Sequence, residues 1–381
     1  MQPQTLLGEP YLSFRSSLRG FLSANVEPDA AEWERNREFP KHLLKTFADE
    51  GYLGLSLPKE VGGRGKDLWH EVILAEELAL TGALGWALSI LVHTNMVAPL
   101  IDSLATDKQK ERFLKPALRG DFYLALAATE PARGSDLVSA ETRAIKQGQS
   151  FILQGEKTYI TNGSVADHIV TLAKTETSGE VWSLGLLVVP GDAEGVARKR
   201  LVTSGLRSGD TAAISLHECV VPVENLLGDS KRGFLYLLKG LQRERLMCAI
   251  ALNSLALNVW ERTLIFLQKR ERFGANLSQK QVIRHRMAES RSAIEASRQF
   301  AYNTLAAFAQ GENVDQEILM LKIFTYETGQ KVIQECLHLH GGEGFLQDHW
   351  IAHISRDSQA FTIAAGTSEI MRDLLAGMLK M

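Results

Sequence analysis

The stretch from Lys231 to Gly274, KRGFLYLLKGLQRERLMCAIALNSLALNVWERTLIFLQKRERFG, carries one continuous helical pattern. Helices in globular proteins average about 11 residues, so a run this long needs several packing partners. Helical patterns over 279–310, 314–340 and 367–380 supply them, and residues 230–381 are expected to form a helical bundle. Glu244 lies in the middle of the long pattern. Its neighbours one turn away on the same face are Gly240, Leu241, Met247 and Cys248, none of them charged. A carboxylate so placed loses hydration, its pKa rises, and it becomes a better proton acceptor near neutral pH. The plainer alternative is an ion pair on the helix face with Lys239, Arg243 or Arg245. Adjacent helical positions do not face each other, which weighs against it.

The rest of the chain divides in two. From the start to residue 121 the pattern is helical, with stripes at Leu12, Leu18, Phe21 and Leu22 and at Leu43, Leu44, Phe47 and Leu53. Further helices are expected through LWHEVILAEELAL, LGWALSILVHTN and DKQKERFLKPAL, the last with Asp107 as N-cap and Gly120 closing it. Over 122–229 the grammar becomes strand and turn: FYLALAA, SFILQGEKTYITNG, DHIVTLAKT, WSLGLLVV and TAAISLHECVV, separated by Gly, Asp, Asn and Ser. The expected fold class is α+β: an N-terminal helical domain (1–121), a middle antiparallel β-domain (122–229) and a C-terminal helical bundle (230–381).

Composition narrows the function. With 45% hydrophobic and 23% charged residues the chain is ordinary for a globular protein, and a net charge of −3 offers no grip on nucleic acid or anionic lipid. Cys219, Cys248 and Cys336 are far apart and form no CxxC or Cys/His cluster, so neither a disulfide framework nor a metal site is expected. MQPQTLLGEPYLSF lacks the plan of a secretory signal, and runs such as GALGWALSILV are read as too short to span a bilayer. The expectation is a cytoplasmic protein with no membrane, metal or nucleic-acid partner.

Five local motifs, in order and on the expected elements, carry a resemblance. ATEPARGSD (128–136) looks like a TEPxAGSD loop, YITNG (159–163) like WITNG, and RERFGANLSQKQ (270–281) like RxxFGxxxxxxQ. LHGGEGF (339–345) is similar to a GGxGF/Y loop and GTSEIMR (366–372) to a closing GTSEI motif. Together they resemble the acyl-CoA dehydrogenase family over nearly the whole chain. The resemblance implies an acyl-CoA dehydrogenase-like fold, FAD as cofactor and oxidation of an acyl thioester. By the same resemblance, Ala128 opens the flavin loop, and Thr129 and Thr161 bond the flavin ring, on which Tyr159 stacks in place of tryptophan. Ser135, beside Gly134, donates to the pyrophosphate. Arg270 would reach the pyrophosphate from a neighbouring subunit, with Phe273 and Gln281 beside it. Gly341 and Gly342 would allow close backbone approach, and Thr367 and Glu369 would complete the dinucleotide site. His338 stands where the family usually has glutamine.

Ala365 occupies the place where the family most often keeps its catalytic glutamate. A subset resembling the isovaleryl- and long-chain-type enzymes carries the base on the long helix instead, and QRERL puts Glu244 there. The resemblance then implies that Glu244 removes the proton α to a thioester carbonyl. An electron-transfer flavoprotein or oxygen would take the electrons onward, and a homotetramer is expected. The whole chain looks most like a dehydrogenase of prolyl groups tethered to a carrier protein, giving a pyrroline thioester. Acyl-CoA dehydrogenation is the alternative, and a flavin monooxygenase of the same fold a second. For a carrier protein, Lys231, Arg232 and Lys239 are candidate docking cations.

Overall fold

A computed structural model describes residues 8–176, 183–272 and 274–381. Phe273 and the Trp182 that opens one expected strand lie outside them. The N-terminal helices include Tyr11–Asn25, Leu68–Leu78 and a continuous helical run, Leu84–Leu104. That run corrects the sequence reading, because its 21 residues are long and apolar enough to cross a bilayer. A π-helical turn at Val92–Val97 keeps it unbroken, and 89% of its apolar window is buried inside the protein. A helix apolar on every side is here a core element. The N-cap expected at Asp107 is instead Thr106. Its backbone N–H donates to Gln109 Oε1 at 2.8 Å, and its Oγ1 accepts from Gln109 N at 3.4 Å, a reciprocal capping box.

The middle of the chain forms eight strands: β1 Leu124–Ala127, β2 Arg143–Gln147, β3 Ser150–Thr161, β4 His168–Glu176, β5 Ser183–Pro190, β6 Val196–Arg200, β7 Thr211–Pro222 and β8 Leu226–Leu227. They pair in the order β6-β7-β3-β2-β4-β5-β8, with β1 also on β4. Most pairings are antiparallel, as expected, but β1 and β2 both run parallel to β4. They occupy successive stretches of it, Leu124 opposite His168 and Arg143 opposite Lys174. The chain between β1 and β2 therefore has to leave the sheet and return, and this excursion contains the 128–136 loop. Opposite it, β3 slips register against β7 between Lys157 and Ile160, with Tyr159 at φ 58°. Such a bulge re-aims a side chain.

The C-terminal domain is built on one 37-residue helix, Gly233–Lys269, packed by Gln281–Ala309, Asp315–Leu339, Trp350–Ile363 and Ser368–Met378. The Trp350–Ile363 helix escaped the sequence reading. Its buried face includes Ser355, Asp357 and Ser358 alongside Ile351, Ala352 and Phe361, which blurs the apolar period. Those polar residues mark a junction of all three parts of the chain. Asp357 Oδ1 accepts from Leu206 N at 2.6 Å, and Glu34 Oε1 accepts from Ser208 N at 2.9 Å, with both carboxylates buried. Burial first, then the charge of Glu34, pushes Asp357 up to about 7. Nearby, Gly85 meets Gly209 so closely that a Cβ on Gly85 would lie 2.2 Å from the Gly209 nitrogen.

Candidate active site

Leu237 and Leu241 of the long helix join Val92, Met96, Leu100 and Ala128 in one buried apolar cluster, and Ala365 packs against it. The cluster brings the β1 exit, the π-helical turn and the segment before Ser368–Met378 to the same stretch of the long helix. Glu244 comes one turn after Leu241. Its flanking cations are engaged elsewhere: Arg243 donates to Glu71 and Ser56, and Arg245 donates to Ala365 O at 3.0 Å and Gln242 Oε1 at 2.8 Å. No ion pair includes Glu244 among the described residues. Its Oε2 is sealed from solvent and has no hydrogen-bond partner. Burial raises its pKa, opposed in part by the positive charges of Lys322 and Arg245. One turn on, burial also raises the Cys248 thiol, which leaves it without charge beside the carboxylate.

Lys322 was not visible as a site residue in the sequence. It is 1% exposed, and its ammonium donates to the carbonyls of Ala364 and Gly366. Arg245 takes the carbonyl between them, so two cations grip three successive peptide oxygens. Held this way, Ala365 keeps a left-handed backbone, φ 54°, which costs a side-chain-bearing residue about 1–2 kcal/mol.

Most of the residues assigned to the flavin by resemblance fall into two groups. Ala128, Thr129, Gly134, Ser135, Tyr159 and Thr161 lie together where the β1–β2 excursion meets the end of β3. Thr158 N donates to Thr129 O at 2.9 Å and ties the loop to that strand. Beneath the loop, fully buried Lys157 donates to Ala128 O at 3.1 Å and to Glu130 Oε1 at 2.8 Å. Glu130 also accepts from the backbone N–H groups of Glu141 and Thr142, at 2.6 and 2.9 Å. This brace was also missed, because its members had no motif role to draw attention to them. Above it Tyr159 is 70% exposed, and Ser135 and Gly134 face outward with open space where a Cβ on Gly134 would sit.

The second group lies at the far end of the long helix. Arg270 pairs with Glu343 at 2.9 Å, which fastens it to the 341–345 turn. Gly341, at φ 61°, and Gly342 have nothing within 4 Å of a built Cβ. Exposed Gln281 opens the Gln281–Ala309 helix. His338 is exposed, whereas its neighbour His340 is buried and stacks on Phe266 at 4.2 Å. Burial holds His340 at about 4, a neutral packing residue under the glycine turn. Thr367 and Glu369 belong to neither group: they follow the Ala364–Gly366 turn held by Arg245 and Lys322, where Thr367 caps the last helix by accepting from Ile370 N at 3.4 Å and Glu369 is exposed in its first turn. Among the described residues, no hydrogen bond or ion pair joins Arg270, Gln281, His338, Gly341 or Gly342 to the β-domain group.

An exposed aromatic ring, a loop with room for close approach, and a guanidinium beside a glycine turn suit a dinucleotide with a flat ring system at one end. With a carboxylate kept basic by burial beside an apolar cluster, they define a flavin-dependent oxidoreductase of acyl thioesters. The comparisons agree. Residues 9–121, 125–219 and 231–379 match the N-terminal, middle and C-terminal domains of acyl-CoA dehydrogenase. The chain is 30% identical over 372 residues to 3-(aryl)acrylate reductase of Clostridium sporogenes (strain ATCC 15579), covering 97% of this chain and 98% of that one. It is 32% identical over 366 residues to the mitochondrial long-chain specific acyl-CoA dehydrogenase of Sus scrofa, covering 95% and 85%. The acyl-CoA dehydrogenase structure from Geobacillus kaustophilus is similar with a TM-score of 0.94 and 34% identity, over 98% of this chain and 99% of that one. The chain belongs to the acyl-CoA dehydrogenase family, and it is an FAD-dependent oxidoreductase acting on acyl thioesters. A prolyl acyl carrier protein oxidase shares the fold, with a TM-score of 0.91 over 98% of this chain and 100% of that one, but at 23% identity the likeness is one of fold alone.

Proposed function

We propose that the protein dehydrogenates a hydrocarbon acyl thioester at its α and β carbons, with Glu244 as the base. The observation that carries this is the Glu244 carboxylate, partly buried with an unpartnered oxygen one turn after Leu241 of an apolar cluster against which Ala365 packs. Ala365 contributes no acid–base chemistry, and among the described residues no hydrogen bond or ion pair engages the Glu244 carboxylate, which leaves it available for the α-proton. Thr129, Ser135, Tyr159 and Thr161 would hold FAD on the β-domain side, and Arg270, Gln281, Gly341 and Gly342 would meet a cofactor from a neighbouring copy in a homotetramer. FAD supplies an acceptor for the hydride that leaves the β-carbon. Glu244 takes the α-proton onto a carboxylate oxygen, Leu237, Leu241, Val92 and Met96 exclude water from the acyl chain, and backbone N–H groups receive the charge that grows on the thioester oxygen. Electrons would pass onward to an electron-transfer flavoprotein or oxygen.

Apolar lining favours a hydrocarbon acyl group. A second reading, a prolyl group on a carrier protein, is supported by the shared fold of the prolyl oxidase and by exposed Lys231, Arg232 and Lys239 at the start of the long helix. Anaerobic mixing of the FAD-loaded protein with octanoyl-CoA, isovaleryl-CoA and a prolyl-loaded carrier protein separates the two. Bleaching of the flavin by an acyl-CoA supports the first, and bleaching by the prolyl carrier alone moves the assignment to the second. Glu244→Gln should retain FAD yet slow bleaching by about 10²–10⁴-fold, the range for losing a positioned base. A normal rate in that variant would refute Glu244 as the base.

A further inference from the structure

Lys322 is a buried cation at this site that the proposed chemistry leaves without a task. Its ammonium is fully enclosed, donates to the carbonyls of Ala364 and Gly366, and stands 5.1 Å from the centre of the Tyr326 ring. Glu244, Arg245 and Cys248 of the long helix act on it electrostatically, with Tyr326 on its own helix; burial and the charge of Arg245 lower its pKa to about 7, and Glu244 opposes them by favouring the ammonium. A trans peptide unit points its C=O and N–H in opposite directions. Because the Ala364 oxygen is turned onto Lys322, the N–H of the same peptide, that of Ala365, is turned away from it. Among the described residues that N–H has no acceptor, although the neighbouring Ala364 N–H bonds to Ala360 O. An ammonium on one end of a peptide also polarises the other, making its N–H a stronger donor.

We propose that Lys322 is a positioning residue for proton abstraction: it turns the free Ala365 N–H out as a donor for the thioester oxygen and stands as the positive neighbour that keeps Glu244 ionised. This rests on Glu244 being the base. It explains why a lysine is buried with only carbonyl partners, a costly arrangement unless charge is needed there. It also explains how the turn keeps its shape with alanine at position 365. The cations hold the backbone from behind, so the side chain does not have to.

The test uses the FAD-loaded protein and its Lys322→Met and Lys322→Arg variants. Infrared difference spectra across a pH titration report the protonated carboxyl of Glu244, identified by its loss in Glu244→Gln. The Glu244 midpoint should rise by about one unit or more in Lys322→Met, because an opposite charge close by is removed. In Lys322→Arg, which keeps the charge, it should stay near the parent value. Flavin reduction by the most reactive thioester should slow at least about tenfold in Lys322→Met, as for a lost oxyanion donor. A folded, FAD-retaining Lys322→Met protein with the parent midpoint and reduction rate would overturn the proposal. So would a Lys322→Arg protein whose midpoint climbs as far as that of the methionine variant, which decides the matter even if Lys322→Met does not fold. Failure of the base assignment has a separate signature, normal flavin reduction by Glu244→Gln.

Discussion

The Lys157–Glu130 pair beneath the 128–136 loop should show strong coupling with little net worth, and a double-mutant cycle measures both. Burial alone would raise the Glu130 pKa, but Lys157, Thr142 and the backbone N–H groups of Glu141 and Thr142 outweigh it and hold the carboxyl at about 2. Burial lowers Lys157 from 10.5 to about 8, only partly countered by Glu130. Each displacement is worth about 3 kcal/mol at about 1.36 kcal/mol per unit, and the two have opposite signs. The Glu130 contribution is present above its unfolded value of 4.5 and is lost as pH falls toward about 2. The lysine penalty holds at neutral pH and fades as pH rises from about 8 to 10.5. Near pH 7 the pair therefore roughly cancels, as buried ion pairs often do. Lys157→Met removes the partner and leaves the carboxylate with two N–H donors, and should cost about 3 kcal/mol. Glu130→Gln strands the ammonium and orphans one N–H, and should cost as much or more. In the double variant the orphaned N–H and the Ala128 carbonyl that has lost its lysine donor remain, but no stranded charge, so its loss should fall short of the sum of the singles by at least about 2 kcal/mol. Urea unfolding at pH 7, with fixed protein and FAD concentrations and at two salt concentrations, reads these differences. Additivity of the two substitutions within about 0.5 kcal/mol would refute the reasoning, as would a coupling that salt abolishes.

Two further outcomes probe the three-way junction. Asp357 has its carboxyl raised to about 7 from 3.8, so it favours the folded state at low pH and loses that contribution as pH climbs through neutrality. Asp357→Asn can still accept from Leu206 N and should raise the melting temperature at pH 8 by an amount worth at most about 4 kcal/mol, with little gain at pH 4; an equal effect at both pH values would contradict this. Gly85→Ala places a carbon 2.2 Å from a backbone nitrogen and should lower stability by more than the usual 0.5–3 kcal/mol for a point change, seen as a loss of soluble FAD-bound protein; a melting temperature equal to the parent would show that the two segments separate freely.

Local pattern revealed much of this molecule, and long-range juxtaposition the rest. The long helix and the uncharged surroundings of Glu244 follow from a 3.6-residue period, which needs no knowledge of distant segments. The helix of Asp357 broke that rule by burying serines and an acid, and so escaped notice. Thr106 rather than Asp107 became the cap because the reciprocal bond needs a hydroxyl three residues before glutamine, a finer signal than an acidic first turn. Lys322 and Arg245 closing on one turn, and Lys157 reaching Glu130, depend on tertiary approach that no window along the chain contains. The motif residues were all visible. Their separation into distinct places, at the β-domain loop, beside Arg270 and beside the Ala365 turn, became apparent only in three dimensions.

The clamp around Ala365 divides labour within one short turn. Because distant cations fix the main chain there, and the acid–base task is the one proposed for Glu244 on another helix, the methyl group would be released from both duties. A substitution at that position would then widen or narrow the space beside the apolar cluster, within the limit set by a left-handed backbone.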